Sequence, residues 1–315
     1  MKLILTIYHL FRTARPRQWL KNLSVFAAPL FSGNLFEASV FIKTAQAFVA
    51  FSAMASAAYF INDIIDIPKD RLHPIKKNRP IASGKISNKL AWFVAFSLVF
   101  GSILYSMFFV GTFFTLSLIV YILLQFVYTL YLKNIIILDS LTIAFLFVIR
   151  VFAGGFASDT SVSSWMTLAT IGLSLLLAFG KRRSEKTLLT KFAESHGKTR
   201  ETLRYYPDTL LDSTISMSAT YAIITYSLFV FQISTEIPNK ALSSFLPSIL
   251  RSPKWMMGTI PIVIYGVARY LYVIYEKQEG ESPARVLLSD RPLLLAVILW
   301  GLVVTGIIYW FPLIG

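Results

Sequence analysis

Long apolar stretches separated by short charged segments form the main pattern along this chain. Residues 91–132 run for 42 positions without a charged side chain. A membrane-spanning helix needs about 20 consecutive apolar residues, so this stretch is too long for one helix. Gly111 lies near its middle and is typical of a turn. The pattern therefore predicts two consecutive helices, each long enough to cross a bilayer.

The same reasoning predicts nine apolar helices along the chain. They cover residues 22–36, 41–61, 90–109, 113–132, 136–156, 163–180, 213–234, 257–275 and 292–311. The first is the weakest, because Pro29, Gly33 and Asn34 interrupt its apolar run, and we expect it to be short or kinked. The apolar residues ahead of it are too few for a cleavable signal peptide.

The composition excludes an ordinary soluble domain. Of the 315 residues, 56% are hydrophobic and 15% are charged, and the mean hydropathy is +0.64. A water-soluble fold would expose much of this apolar surface, so lipid is the expected solvent. The predicted fold class is an all-α membrane protein with nine transmembrane helices, arranged as a single integral-membrane domain over residues 1–315.

The distribution of positive charge predicts the orientation. With the amino terminus in the cytoplasm, nine crossings place 24 of the 30 Lys and Arg residues on the cytoplasmic side, as the positive-inside rule requires. The charged loops 62–90 and 181–212 then face the cytoplasm, and the carboxyl terminus lies on the opposite side. The net charge is +14, but the basic residues alternate with apolar segments and form no continuous soluble face, so we do not expect nucleic acid as a partner. The absence of Cys excludes disulfides and thiol catalysis.

An acidic segment followed directly by a basic one lies at residues 62–79, after the second predicted helix. Its oxygen donors are of the kind that hold Mg²⁺ while substrate phosphates supply the remaining ligands. The candidate metal ligands are Asn62, Asp63, Asp66 and Asp70. Pro68 is expected to end the helix near Ile67 and to leave Asp70 on the following loop. The alternative is that these acids cap a helix or pair with nearby Lys.

Basic side chains near this segment are candidates to bind phosphate. They are Arg71, His73, Lys77 and Arg79 in the same loop, and Lys181 and Arg182 at the exit of the sixth predicted helix. Arg offers a planar fork that matches phosphate oxygens. The alternative for each cation is an ordinary signal for membrane orientation. For His73, a solvated or hydrogen-bonded ring is the commoner outcome.

Arg150 lies inside the fifth predicted helix, eleven residues after Asp139, so both side chains point in the same direction. An ionisable side chain within a span is a candidate functional residue, and the alternative is snorkelling to the outer interface. Lys133 and Asp139 bracket the turn before this helix, where they either share a cavity or face headgroups. Ser289 or Asp290 is expected to cap the last helix, with Pro292 in its first turn.

The predicted spans and two local motifs together resemble the UbiA superfamily of intramembrane prenyltransferases over essentially the whole chain. The motifs are Asn62-Asp63-x-x-Asp66-x-x-x-Asp70 and Tyr131-x-Lys133. Four further strings are similar to the decaprenyl-phosphate phosphoribosyltransferase branch of this superfamily. They are Arg15-Pro-x-Gln-Trp-x-Lys-Asn22, Asp70-Arg-x-His-Pro-x-Lys-x-x-Arg-Pro-Ile-Ala-Ser-Gly84, Gly180-Lys-Arg and Leu288-Ser-Asp-Arg291.

One departure from ordinary members of the superfamily supports that branch. Their second acidic motif, Asp-x-x-x-Asp, is reduced here to Asp139 followed by Ile143, so a second fully acidic metal site is not expected. The cluster beginning at Lys181 fits a phosphate-rich donor instead.

The resemblance implies Mg²⁺-dependent transfer of 5-phosphoribose from phosphoribosyl pyrophosphate to a polyprenyl phosphate in a bacterial plasma membrane, with release of diphosphate. It implies that the motif at residues 62–70 holds Mg²⁺ and that the basic residues bind phosphate. Substrate binding is further expected from Gln18, Lys21, Asn22, Lys133 and Arg150, with Lys21, Lys133 and Arg150 positioning the acceptor. The sequence leaves the oligomeric state open, with a homo-oligomer as one outcome.

Two other functions compete with this interpretation. The first keeps the fold and metal but transfers a prenyl group from a prenyl diphosphate to an aromatic or other acceptor. The second is a transporter for an anionic lipid. It is disfavoured because the charged motifs gather at one membrane face instead of near the midplane.

Overall fold

The structure, a computed structural model, describes residues 2–72, 76–192, 206–233, 254–277 and 283–310. Within these ranges the chain is almost entirely helical, and no β-strand occurs in them. This agrees with the all-α membrane class expected from the apolar pattern.

The amino-terminal part combines short and long helices. It begins with α1 (Lys2–Ala14), a 3-10 segment (Pro16–Phe26) and the short α2 (Ala27–Ser32). Helix α3 (Ala38–Ile65) then leads directly into α4 (Ile67–Leu72).

Long helices make up the middle of the chain. They are α5 (Asn88–Phe109), α6 (Thr112–Leu130), α7 (Leu138–Ser158), α8 (Ser164–Phe192) and α9 (Asp208–Ile233). A 3-10 turn, Leu132–Asn134, lies between α6 and α7.

The carboxyl-terminal part contains three more helices. Helix α10 (Ile260–Tyr272) follows the 3-10 turn Trp255–Thr259 and continues into the π-helical turn Val273–Lys277. Helix α11 (Pro283–Ser289) comes next. Helix α12 (Arg291–Thr305) continues into the π-helical turn Gly306–Trp310.

Eight helices among the described residues are long and apolar enough to cross a bilayer, and they correspond to eight of the nine predicted segments. The exception is the predicted segment 22–36. Its residues are divided between the 3-10 segment and α2, which ends after six residues where Gly33 adopts a left-handed φ of 86°. The interrupted first helix is therefore too short to count as a span.

Helix α7 lies at the centre of the bundle and packs against α3, α6, α8 and the 3-10 segment. Its span is 67% buried, whereas the peripheral span Arg291–Trp310 is 17% buried. Gly154 permits the close approach of the 3-10 segment, because a Cβ there would lie 1.9 Å from the carbonyl oxygen of Val25. The amino-terminal residues that carry candidate site groups are thereby held against α7.

The outer surfaces of α5 and α6 expose large apolar side chains. Phe93, Phe100 and Phe108 on α5 and Phe113 on α6 are each more than 60% exposed. Such a surface would aggregate in water and is suited to lipid. The chain is therefore an integral membrane protein.

The end of α3 differs from the sequence-based expectation. The helix ends at Ile65, and Asp70 lies within α4 and not on a loop. Pro68 is the second residue of α4, where its missing N–H has no intrahelical partner to lose. The backbone N–H of Asp70 donates to the carbonyl of Asp66 at 2.8 Å, so the two helices continue almost without interruption. The prediction that Pro68 leaves Asp70 on a loop is wrong.

Candidate functional site

Two buried carboxylates, Asp63 on α3 and Asp70 on α4, share one guanidinium. Nη1 of Arg79 lies 3.0 Å from Oδ1 of Asp63 and 2.7 Å from Oδ2 of Asp70. Arg15 also donates to Oδ1 of Asp63, at 2.5 Å. Burial raises the pKa of Asp70, and the adjacent Arg79 opposes that change. The carboxylates at residues 63 and 70 thus form one compact, positively bridged cluster.

The remaining members of the acidic motif face α6 and the turn that follows it. Lys133 donates to Oδ1 of Asp66 at 2.6 Å, and the Thr129 hydroxyl lies 3.4 Å from Oδ1 of Asn62. Lys133 is itself buried. Lys133 is thus held inside the protein by Asp66, whereas Asp139, at the other end of the turn, pairs with Arg182.

The donor set at residues 63 and 70 fits a divalent cation. Two carboxylates already lie close enough to share the Nη1 atom of Arg79, and Mg²⁺ is commonly held by one or two carboxylates with phosphates and water completing its shell. Within the described ranges, no cluster of three or more Asp, Glu, His or Cys side chains forms. The third carboxylate of the motif, Asp66, pairs with Lys133 instead of Arg79.

A second buried network surrounds Asp139 at the start of α7. Nε of Arg182 lies 2.5 Å from Oδ2 of Asp139, a contact of opposite charges without the alignment of a hydrogen bond. The Tyr206 hydroxyl donates to Oδ1 of Asp139 at 2.6 Å and accepts from the N–H of Ile137 at 2.5 Å. Burial, followed by the hydrogen bond to Asp139, raises the pKa of Tyr206 to about 12.

Arg182 is fully buried, and its guanidinium is occupied by protein groups. Besides Asp139, it donates to Oε2 of Glu185 at 2.6 Å and to the Tyr128 hydroxyl at 3.1 Å. This arrangement is at odds with the prediction that Arg182 contacts phosphate, because its donors point into the network. Its neighbour Lys181 is partly exposed and lies 3.6 Å from Oε1 of Glu185.

Arg150 is buried at the centre of the bundle and does not snorkel. It donates to Oδ1 of Asn22 at 2.9 Å, to the carbonyl of Leu146 at 2.7 Å and to the Tyr121 hydroxyl at 3.1 Å. All three acceptors are neutral. Asn22 is fixed in turn by a hydrogen bond to Ser52 at 3.1 Å. The bundle interior thus holds a guanidinium whose described partners do not neutralise its charge.

Lys21, which is half-buried in the 3-10 segment, adds a second cation near Arg150. Among the described residues, its ammonium makes no hydrogen bond or ion pair. Burial and the nearby charges of Lys181, Arg150 and Arg15 lower the pKa of Lys21 to about 7. A cluster of like charges in a low-dielectric interior favours an anionic ligand.

The other predicted residues are distributed as follows. Gln18 is half-buried in the 3-10 segment, and Lys77 is exposed. Arg71 is exposed and donates to the carbonyl of Ala82 at 3.1 Å, which anchors the loop after α4. His73 lies outside the described residues. Asp290 accepts from the N–H of Leu293 at 3.0 Å, so of the two predicted caps, Ser289 and Asp290, it is Asp290 that caps α12.

Three site residues were missed by sequence reasoning. Glu185 had a detectable signal, since it follows Arg182 by three positions and Lys181 by four, which places all three on one helix face. Tyr121 and Tyr206 had none, because each lies far along the chain from the residue that it contacts.

Comparison with known proteins gives one family and a set of close relatives. The UbiA prenyltransferase family matches residues 23–289. A decaprenyl-phosphate phosphoribosyltransferase of Mycolicibacterium smegmatis is 33% identical over 306 residues, covering 96% of this chain and 92% of that protein. A protein of the same name from Corynebacterium glutamicum is 32% identical over 307 residues, covering 96% and 88%.

Solved structures show a similar fold. A UbiA homolog from Archaeoglobus fulgidus bound to DMAPP and Mg²⁺ has a TM-score of 0.69 and 19% identity, and the match covers 95% of this chain and 98% of that one. The same homolog bound to GPP and Mg²⁺ has a TM-score of 0.69, with coverage of 95% and 99%.

Proposed function

The chain belongs to the UbiA prenyltransferase family, and from this premise we propose that it transfers 5-phosphoribose from phosphoribosyl pyrophosphate to a polyprenyl phosphate of the decaprenyl type. The main support for this proposal is the 33% sequence identity, over 96% of the chain, to a decaprenyl-phosphate phosphoribosyltransferase. The cationic interior supports the assignment, because both substrates are phosphorylated.

The reaction needs little proton transfer. An oxygen of the acceptor phosphate forms a bond to the anomeric carbon of ribose while the bond from that carbon to diphosphate breaks. The bonding electron pair leaves with diphosphate. The acceptor is already an anion, so placing the reactants matters more than a strong general base.

We place the leaving diphosphate at the carboxylate cluster. Asp63 and Asp70, with Asn62 and Asp66 beside them, would hold Mg²⁺, which supplies charge neutralisation for the departing diphosphate. Arg79 then exchanges its carboxylate partners for phosphate oxygens. Other cations assigned to the donor are Arg71, His73, Lys77 and Lys181.

The acceptor phosphate is assigned to the interior cations. Arg150 is held in place by neutral groups and Lys21 lies close by, so an anion placed there gains their attraction without displacing a carboxylate. Lys133, which pairs with Asp66, is assigned to the same substrate. Gln18 and Asn22, both in the 3-10 segment, are assigned to it as well, and Asn22 accepts from Arg150. The isoprenoid tail would enter laterally from the bilayer.

We further propose that the whole chain forms one catalytic domain in a bacterial plasma membrane, with the amino terminus and the charged loops in the cytoplasm and the carboxyl terminus opposite. A homo-oligomer is compatible with this arrangement. Cysteine accessibility tests the orientation: a Cys introduced at exposed Lys77 should react with a membrane-impermeant reagent only in inside-out vesicles.

The decisive experiment uses purified protein with labelled phosphoribosyl pyrophosphate, decaprenyl phosphate and Mg²⁺. We expect labelled lipid and free diphosphate in equal amounts. An Asp159→Asn variant serves as a control, since this exposed carboxylate lies at the far end of α7. Absence of labelled lipid from wild-type protein would contradict the proposal.

A second candidate function is transfer of a prenyl group. It is supported by the similarity in fold to a UbiA homolog bound to DMAPP. Replacing the donor with a labelled prenyl diphosphate and supplying aromatic acceptors tests it. Product from this donor, without product from phosphoribosyl pyrophosphate, would favour the second candidate.

A further inference from the structure

The turn between α6 and α7 contains a residue in an unfavourable conformation. Ile137, immediately before α7, has φ 70° and ψ −51°. A β-branched residue adopts positive φ only where its surroundings enforce it, and such residues concentrate at functional sites. Its side chain is exposed, so packing of that side chain is not what enforces the conformation.

Backbone hydrogen bonds close this turn locally, as from the Leu138 N–H to the Ile136 carbonyl at 2.8 Å, and the Tyr206 hydroxyl holds it from outside. Tyr206, just ahead of α9 in the chain, is 1% exposed, and its hydroxyl accepts from the N–H of Ile137 while donating to Asp139. Its own backbone is anchored, because Lys186 on α8 donates to the Tyr206 carbonyl at 2.6 Å. The phenol keeps its proton at physiological pH, since its pKa is raised, and so it remains a donor to Asp139.

The two ends of the turn carry groups of the candidate site. Lys133 at one end contacts Asp66, and Asp139 at the other contacts Arg182. Arg182 holds Glu185, which lies against Lys181. A shift of the turn would therefore move Lys133 directly and would loosen the support of Lys181.

We propose that Tyr206 is a positioning residue, whose hydroxyl keeps the strained turn at Ile137 in place. It thereby sets Asp139 and, through Arg182 and Glu185, also Lys181 for the binding of the phosphorylated donor. Tyr206 touches no substrate in this role. Its kinetic consequence rests on the proposed function.

The first test is Tyr206→Phe, which removes only the hydroxyl. Loss of one buried hydrogen-bond pair predicts a rise of about fivefold to tenfold in KM for phosphoribosyl pyrophosphate, with a much smaller change in kcat. Tyr226→Phe is the matched control. That phenol is also buried and bonded, to Thr259 and Trp300, but lies in another part of the core, and its loss should leave KM unchanged.

The second test is rescue. Glycine adopts positive φ without strain, so Ile137→Gly removes the need for the hydroxyl. The double variant Ile137→Gly, Tyr206→Phe should recover most of the wild-type KM. If Tyr206 acted only by packing its ring, a change at residue 137 would not restore the KM. A wild-type KM in Tyr206→Phe overturns the proposal, as does a double variant no better than Tyr206→Phe. If Tyr206→Phe does not accumulate as folded protein, the double variant should accumulate. Its failure to do so would also overturn the proposal.

A measurement without substrate separates this inference from the proposed function. Thermal unfolding in detergent should show a lower Tm for Tyr206→Phe and recovery of that loss when Ile137→Gly is added. If wild-type protein forms no phosphoribosylated lipid but the Tm recovers in this way, the proposed function fails and the positioning of the turn stands. If the Tm losses of the two substitutions simply add, the positioning role fails.

Discussion

Arg182 and Asp139 form an ion pair inside the bundle, with Nε 2.5 Å from Oδ2 and both side chains 1% exposed. Their helices, α8 and α7, are adjacent in the centre of the fold. A charge in such a place needs its partner, because an unpaired ion away from water is strongly destabilising. Arg182 thus stabilises the interior of the bundle through its buried partner. The next residue, Arg183, instead pairs with the exposed carboxylates of Asp208 and Asp212.

Arg182→Ala should therefore lower the stability of the protein substantially. Removal of one partner from a buried pair costs about 3–5 kcal/mol. The matched control is Arg183→Ala, for which an exposed pair predicts a loss of about 1 kcal/mol or less. Thermal unfolding in detergent measures both. Equal Tm values for the two variants would show that the Arg182 pair is not a structural element.

Lys181→Ala should affect the donor and not the fold. Its ammonium is partly exposed, and loss of a charged contact to phosphate predicts a rise of about tenfold in KM for phosphoribosyl pyrophosphate. Lys43→Ala is the control, since Lys43 is exposed near the opposite end of α3 from Asp63. An unchanged KM would leave Lys181 as an orientation signal only.

Asp70→Asn should reduce turnover by at least about a hundredfold while the protein remains folded, because a metal-binding carboxylate is lost and its amide replacement can still accept from Arg79. Measured rates over a range of Mg²⁺ concentrations test this. Asp159→Asn is the matched control, as an exposed residue in a left-handed conformation that Asn tolerates. Wild-type activity in Asp70→Asn would count heavily against the metal site.

The pKa of about 7 for Lys21 predicts a dependence on pH. Below that pH the ammonium is charged and attracts an anion, whereas above it the amine is neutral. Phosphates with a second pKa near 6 are already fully ionised there. Between pH 7 and 9, kcat/KM for the acceptor should therefore fall, by up to about tenfold per unit.

Lys21→Arg provides the control for this pH dependence, because Arg remains charged throughout the range. Its profile between pH 7 and 9 should be flat. A wild-type profile that is already flat, or an identical decline in Lys21→Arg, would mean that Lys21 does not contribute to acceptor binding.

Gly154→Ala should destabilise the protein, because the added Cβ would meet the carbonyl oxygen of Val25 and push the 3-10 segment away from α7. Overpacking of this kind costs about 1–3 kcal/mol. Gly101→Ala on α5 is the control, since a Cβ there has open space, and better helix propensity should keep the Tm equal or raise it. A Tm for Gly154→Ala as high as that of the control would argue against the close packing.

The sequence alone determined the membrane class, eight of the spans and the acidic motif. These depend on local properties: the length of an apolar run, and the short distance along the chain between Asp63, Asp66 and Asp70. The weak first segment was also visible, because Gly33 and its neighbours interrupt the run locally.

Only the tertiary structure decided the partners of the charged groups. Arg150 meets Asn22 across 128 positions, and Tyr206 meets Asp139 across 67. The sequence pattern indicates which side of a helix is apolar, but it does not specify which helix faces it or how closely. That depends on packing, as where Gly154 admits the 3-10 segment, and a buried charge takes whichever partner this packing brings within reach.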